Sequence, residues 1–230
     1  MDQLIQTLKQ LAKQHPLEKC FRWELPESNP LPVPLDLASI FERNIYLKHN
    51  FYDLLSSGDL AGRYWLIQEW GGIRSFKKND KNDLLLHKFE SELKKGALTR
   101  STFSVISSLS KVASFVDHQT YAIYDSRVIY SLNWLLFKHT ELREFYPQPI
   151  GRNADINQYE LNTIFNLVDG NVVYKSHRIA YHDYCQLMKK LSIEVYAKSE
   201  PYWAEMLLFI LAPEYIVEDI KRSLSISLEC

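Results

Sequence analysis

Residues 107–136 read SSLSKVASFVDHQTYAIYDSRVIYSLNWLL. Together with Phe103 and Ile106 just ahead of them, Leu109, Val112, Ala113 and Val116 recur at three- and four-residue spacing, which predicts an amphipathic helix opened by Thr99 or Ser101. The string DHQT, residues 117–120, breaks it. Residues 121–124 form a short apolar run, and Asp125 then stands where an N-cap carboxylate accepts the first free amides of a second helix. That helix, SRVIYSLNWLLFKHT, carries Val128, Leu132, Leu135 and Leu136 as its stripe. Lys111 and Asp125 are thereby brought near the starts of two consecutive helices.

Helical spacing continues on both sides. Leu4, Leu8 and Leu11 mark a first helix that ends before Pro16, because proline disfavours helical geometry in the preceding residue. The string PESNPLPVPLD, residues 26–36, holds four prolines. It reads as an extended arm, and the chain ahead of it is too short to be a domain. Asp36 is the expected N-cap of a helix through Arg43, followed by another over residues 45–56. Asp59 caps LAGRYWLIQEW, which stops at Gly71-Gly72. A basic loop, residues 77–81, precedes a helix over 83–95 with Leu84, Leu85, Phe89 and Leu93 on one face and Gly96 at its end. Residues 146–155 are a loop. Helices return over 157–167, 176–195 and 201–211, and a last one follows Pro213. Period-two alternation is missing, as are GxGxxG and GKS/T phosphate loops. The expected fold is all-α, a single helical domain over 1–230, in which residues 1–35 are an N-terminal helix and arm packed on a body formed by 36–230.

Composition sets further bounds. With 46% apolar and 13% aromatic residues in a chain of 230, there is enough to bury a sizeable core. Lysine and arginine total 27 against 28 acidic residues, a formal charge of −1, so any contact with nucleic acid must rest on a local patch. Cys20, Cys185 and Cys230 are far apart and lack CxxC spacing, which suggests neither a disulfide framework nor a structural zinc and fits a reducing compartment. No window approaches the roughly 18 uninterrupted apolar residues of a membrane span, and the N-terminus lacks a secretory apolar block. A soluble, cytoplasmic protein without membrane partner, metal or other cofactor is expected.

The pieces Ser110-Lys111-Val112-Ala113 and Ile123-Tyr124-Asp125, continued by Ser126-Arg127-Val128, resemble the helix-hairpin-helix DNA glycosylase superfamily, and most closely its 8-oxoguanine DNA glycosylase-like branch. The resemblance spans roughly a quarter of the chain. It implies a glycosylase-like architecture, with two lobes around a cleft, that excises a damaged or modified base from DNA. Lys111 would attack the sugar C1′ and form a Schiff base, and Asp125 would stabilise positive charge developing on the sugar. The amine serves only when neutral, which burial favours. Ser107, Ser108 and Ser110, with the free amides of a helix N-terminus, would hold a phosphate. The flipped base would sit among Tyr124, Tyr121 and Trp70. Arg127, His118, Arg100, Arg74, Lys77 and Lys78 would supply further DNA contacts, and the protein would act as a monomer.

A second reading stands beside it. Ser107, Ser108 and Leu109 replace the family's hairpin glycines, which points to a non-catalytic helical DNA-binding or interaction protein of the same fold, for example in bacterial antiphage defence. Trp65, Trp134 and Trp203 lie on helical apolar faces and read as core. His177 and His182, with Asp183 and Cys185, do not share a helix face and read as structural.

Overall fold

The computed structural model describes residues 1–34, 36–56, 59–151, 154–168, 170 and 172–224, so Leu35 of the arm and Cys230 lie outside the described residues. The chain opens with α1 (Asp2–Gln14) and α2 (Leu17–Cys20), and after the arm come α3 (Ile40–Asn50), α4 (Tyr52–Ser56) and α5 (Ala61–Trp65). The last of these runs on into a wider π-turn, Leu66–Trp70. Then follow α6 (Asp80–Lys95), α7 (Arg100–Phe103), α8 (Ile106–Val116) and α9 (Ser126–His139). Strand β1 (Glu144–Phe145) precedes α10 (Ala154–Gln158) and α11 (Leu161–Val168), and β2 (Val173–Tyr174) pairs with β1 in parallel. The described residues close with α12 (Ala180–Tyr196), α13 (Tyr202–Leu211), a second π-turn (Ala212–Ile216) and α14 (Val217–Ser223). Among the described residues the fold is all-α apart from that two-residue strand pair, which the sequence pattern does not announce. Among the described residues, no helix is long and apolar enough to cross a membrane.

Several boundaries differ from the sequence reading. The helix expected from Asp36 begins after Ser39, because Ser39 Oγ accepts from Glu42 N at 3.1 Å while Glu42 Oε2 accepts from Ser39 N at 2.9 Å. This reciprocal pair satisfies two amides, which a lone Asp36 cannot do. The break falls at Phe51, so α3 extends past Asn44 to Asn50. Asn79 caps α6, which therefore begins at Asp80, ahead of the expected start at residue 83. The single helix expected through Val116 is divided at Ser104-Val105 into α7 and α8. Residues 157–167 form parts of two short helices, and the helix expected from 176 starts at Ala180. Gly96 ends α6 as expected, with φ at 71°, a conformation glycine adopts without penalty.

Two helices occupy the centre. Every residue of α9 from Val128 to Leu136 is buried, and α13 packs against α9 and α12 while α1 covers α12 and α9. A helix that is apolar nearly all round must be covered on every side, so α9 is a central strut and not the surface helix its stripe alone suggests. Its polar residues are consumed internally. Ser131 Oγ donates to Leu208 O at 2.8 Å, and Asn133 exchanges two bonds with the Tyr146 backbone at 2.8 and 3.0 Å. The arm is fastened to the body: Asn44 Nδ2 donates to Trp23 O and Trp23 Nε1 to Trp70 O, both at 2.8 Å, and Trp65 Nε1 donates to Ser28 O at 3.0 Å.

Candidate functional site

Between α8 and α9 the chain passes through the core as extended backbone, whose amides and carbonyls need partners just as a helix's do. Side chains supply them. Ala122 N reaches Cys185 Sγ at 3.4 Å, and Tyr181 Oη donates to Ala122 O at 3.0 Å. Ile123 N donates to Glu205 Oε2 at 2.9 Å, and Tyr184 Oη donates to Ile123 O at 2.6 Å. Tyr124 N donates to Ser110 Oγ at 2.9 Å. Helices α8, α12 and α13 thus hold the three residues before Asp125 and fix where its carboxylate emerges.

Asp125 caps α9, its Oδ1 accepting from Arg127 N at 2.9 Å. Its Oδ2 lies 3.8 Å from Lys111 Nζ, which also donates to Ser107 O at 2.9 Å. Lys111 is buried and Asp125 half-buried. Burial pulls the Lys111 amine below the ordinary lysine range, and the charges of Asp125 and Glu205 pull it part of the way back. The aliphatic stem of Lys111 lies against Gly71. A Cβ added there would meet Lys111 Cδ, would lie 2.6 Å from Lys111 Cε and would lie 2.8 Å from Ile67 O. Gly71 has an ordinary φ of −83°, so glycine is required for space and not for conformation. Gly71→Ala should therefore lower stability by about 1–3 kcal/mol through overpacking and displace Lys111 from Asp125. Urea unfolding measures the first effect, and NMR titration of the lysine amine measures the second.

The pair sits where two spaces meet. An inner pocket of about 40 Å³ is lined by Trp23, Trp70, Lys111, Asp125, Glu205 and Phe209, among others. An open cleft of about 1120 Å³ lies over it, bordered by the α7–α8 turn, the loop after Gly71 and residues 147–151. Trp23, Gly71, Asp125 and Phe209 line both. Trp23 and Phe209 meet edge to face with centroids 5.6 Å apart, and the Arg127 guanidinium lies 4.9 Å over Phe209.

Of the residues singled out from the sequence, Lys111, Asp125 and Trp70 come together in the inner pocket, and Ser107, Ser108 and Arg127 line the cleft. Ser107 Oγ is buried without a hydrogen-bond partner. Ser110 is fully buried, and its hydroxyl serves Tyr124 N, so it offers nothing to a phosphate. Tyr124 is also misassigned as a base contact, since it is fully buried and its Oη is spent on Pro147 O at 2.9 Å. Tyr121 lies parallel to Tyr181 at 6.1 Å and lines neither space. His118 stacks on His49 with centroids 4.2 Å apart, also away from the cleft lining. Arg100 starts α7 at the surface, and Arg74, Lys77 and Lys78 are exposed on the loop whose Ile73, Ser75 and Phe76 border the cleft. Trp134 is core as expected, whereas Trp65 and Trp203 are half-buried.

Four residues escaped the sequence reading: Trp23, Phe209, Glu205 and Lys48. Glu205 is 4% exposed and Lys48 is 1% exposed. Lys48 Nζ donates to Ser114 Oγ at 3.0 Å and lies 4.4 Å over the Phe115 ring. Burial pushes the Glu205 carboxyl up to about 7, against the opposing pull of Lys48 and the Ile123 amide. Burial brings Lys48 down to about 8, with the Glu205 charge resisting. A signal was present in both cases. Glu205 is the only charge in YWAEMLLFIL, and Lys48 shares a helix face with Phe41, Asn44 and Phe51.

Fold and site together define an all-α protein that holds a buried amine against a carboxylate at the floor of an open cleft. No protein-family model, curated protein or solved structure matches this chain.

Proposed function

We propose that this chain is a DNA glycosylase-like protein that removes a damaged or modified base by cleaving the N-glycosidic bond, with Asp125 stabilising the sugar cation and Lys111 as nucleophile. One observation carries the reading: Lys111 Nζ and Asp125 Oδ2, from two different helices, lie 3.8 Å apart at the junction of an aromatic-walled pocket and a cleft wide enough for a nucleotide. A breaking glycosidic bond places positive charge on the sugar, which a fixed carboxylate in a water-poor site stabilises. Burial lowers the pKa of the Lys111 amine below the ordinary lysine range, which favours the neutral form that a nucleophile needs. The first turn of α8 borders the cleft with the unpartnered Ser107 Oγ, a suitable contact for a backbone phosphate.

A second reading, a non-catalytic DNA-binding protein of the same architecture, is favoured by the inner pocket's volume. About 40 Å³ leaves room for a few waters and not for a base, so a base enters only if Trp23 and Phe209 part. Screening abasic-site formation on duplexes carrying single oxidised, alkylated or deaminated bases separates the two. Release of one base class supports the enzyme, and duplex binding without release from any member supports the alternative.

A further inference from the structure

We propose that Glu205 is the general acid of the site, donating its proton to a ring nitrogen of the departing base while Asp125 faces the sugar. The inference rests on the glycosylase reading above and assigns a step that reading leaves open, namely how the base leaves without carrying a full negative charge.

The geometry distinguishes the two carboxyls. Asp125 is at the mouth, half-buried, beside Lys111 and within the cleft lining. Glu205 lines only the inner pocket, 4% exposed, among Trp23, Trp70 and Phe209, where an entering base would lodge. Glycosidic cleavage by paired carboxyls divides the work this way: the one in apolar surroundings keeps its proton and acts as acid, and the solvated one stays ionised. The groups that face Glu205 are Lys48 from α3, Lys111 from α8, Asp125 at the start of α9, and Tyr184 and Cys185 from α12. Burial raises the carboxyl to about 7, where donation at neutral pH is most effective. Lys48 does not line the pocket, yet its charge is the largest influence favouring the Glu205 carboxylate, so it stabilises the anion left after the proton departs.

The step balances. The C1′–N bond breaks and its electron pair passes to the base nitrogen, while the Glu205 proton moves to a ring nitrogen and the base leaves neutral. The sugar cation takes up the Lys111 amine or a water, whose released proton passes to solvent by way of Asp125. Glu205 then regains a proton from solvent.

The test uses duplexes carrying 7,8-dihydro-8-oxoguanine, hypoxanthine or 7-methylguanine, the last of which already bears a ring charge and leaves neutral without an acid. The proteins are the wild type, Glu205→Gln and Lys48→Met. Gln keeps an oxygen for the Ile123 amide, and thermal melting establishes that both variants fold. With wild type, release of the uncharged purines should fall as pH rises through about 7, since only the protonated acid donates. Glu205→Gln should slow that release about 10²-fold and erase the falling limb, while slowing 7-methylguanine release far less. Lys48→Met should move the falling limb to higher pH, because losing the cation disfavours the carboxylate; a purely structural Glu205 would show no such shift. Equal slowing of all three substrates, no slowing, or a limb that ignores Lys48 overturns the proposal and leaves the glycosylase reading standing. Wild type that releases no base from any duplex sinks both together.

Discussion

Asp125→Asn should fold and bind a duplex normally yet release base about 10³-fold more slowly, the scale of losing one electrostatic contact made in the transition state. The two consequences separate because the cap and the proposed electrostatic role fall on different oxygens of Asp125. Its Oδ1 caps α9 through Arg127 N, and asparagine caps as well as aspartate does, so stability should stay within about 1 kcal/mol. Its Oδ2 faces Lys111 at 3.8 Å, and there asparagine supplies no charge. Removing that charge also removes the strongest attraction holding the Lys111 amine's proton, so the amine should become still easier to deprotonate. Single-turnover base release on the duplex found by the abasic-site screen, alongside thermal melting, measures both. Wild-type release by Asp125→Asn would mean that the carboxylate is only a cap.

Lys111→Met should abolish borohydride trapping of a covalent enzyme–DNA adduct, because the amine that would form the Schiff base is gone while its volume is largely kept. For the wild type, the pH dependence has a definite sign. On a duplex carrying a preformed abasic site, where no base has to leave, trapping needs only the neutral amine, and burial lowers its pKa below the ordinary 10.5, so the trapping rate should climb with pH and level off before the usual lysine range. Stability carries the same signature. The native state binds fewer protons than the unfolded chain between the lowered pKa and 10.5, so wild-type stability should rise with pH across that interval relative to Lys111→Met. Urea unfolding on either side of the interval tests this. An active wild type that yields no trapped adduct assigns Lys111 to binding and leaves hydrolysis to water.

The legible part of the site was the part written in local terms. An N-cap shows itself by residue type ahead of an apolar stripe, and Asp125 caps α9 as read. Lys111 stands as the only charge in ISSLSKVASFV, yet its burial came from Gly71 and the π-turn, some 40 residues earlier, pressing on its stem. Tyr124 misled because adjacency to Asp125 says nothing about which way extended backbone turns a side chain, and successive residues point to opposite sides. Trp23 falls just ahead of the proline-rich string, and the bond from its indole to Trp70 O fixes it in the pocket wall.

By itself the sequence determined the helical class, the two helices flanking residues 117–125, the carboxylate that caps the second, and the order of amine before acid. Periodicity, caps and glycine stops act over a few residues, and their energetics do not depend on what lies across the core. Tertiary structure alone decided that Lys48 and Glu205 are enclosed, that α9 is covered on all sides, and that Trp23 and Phe209 stand between cleft and pocket. Those outcomes depend on which distant surface covers a side chain and removes its water, and desolvation is what moves the Glu205 and Lys48 protons.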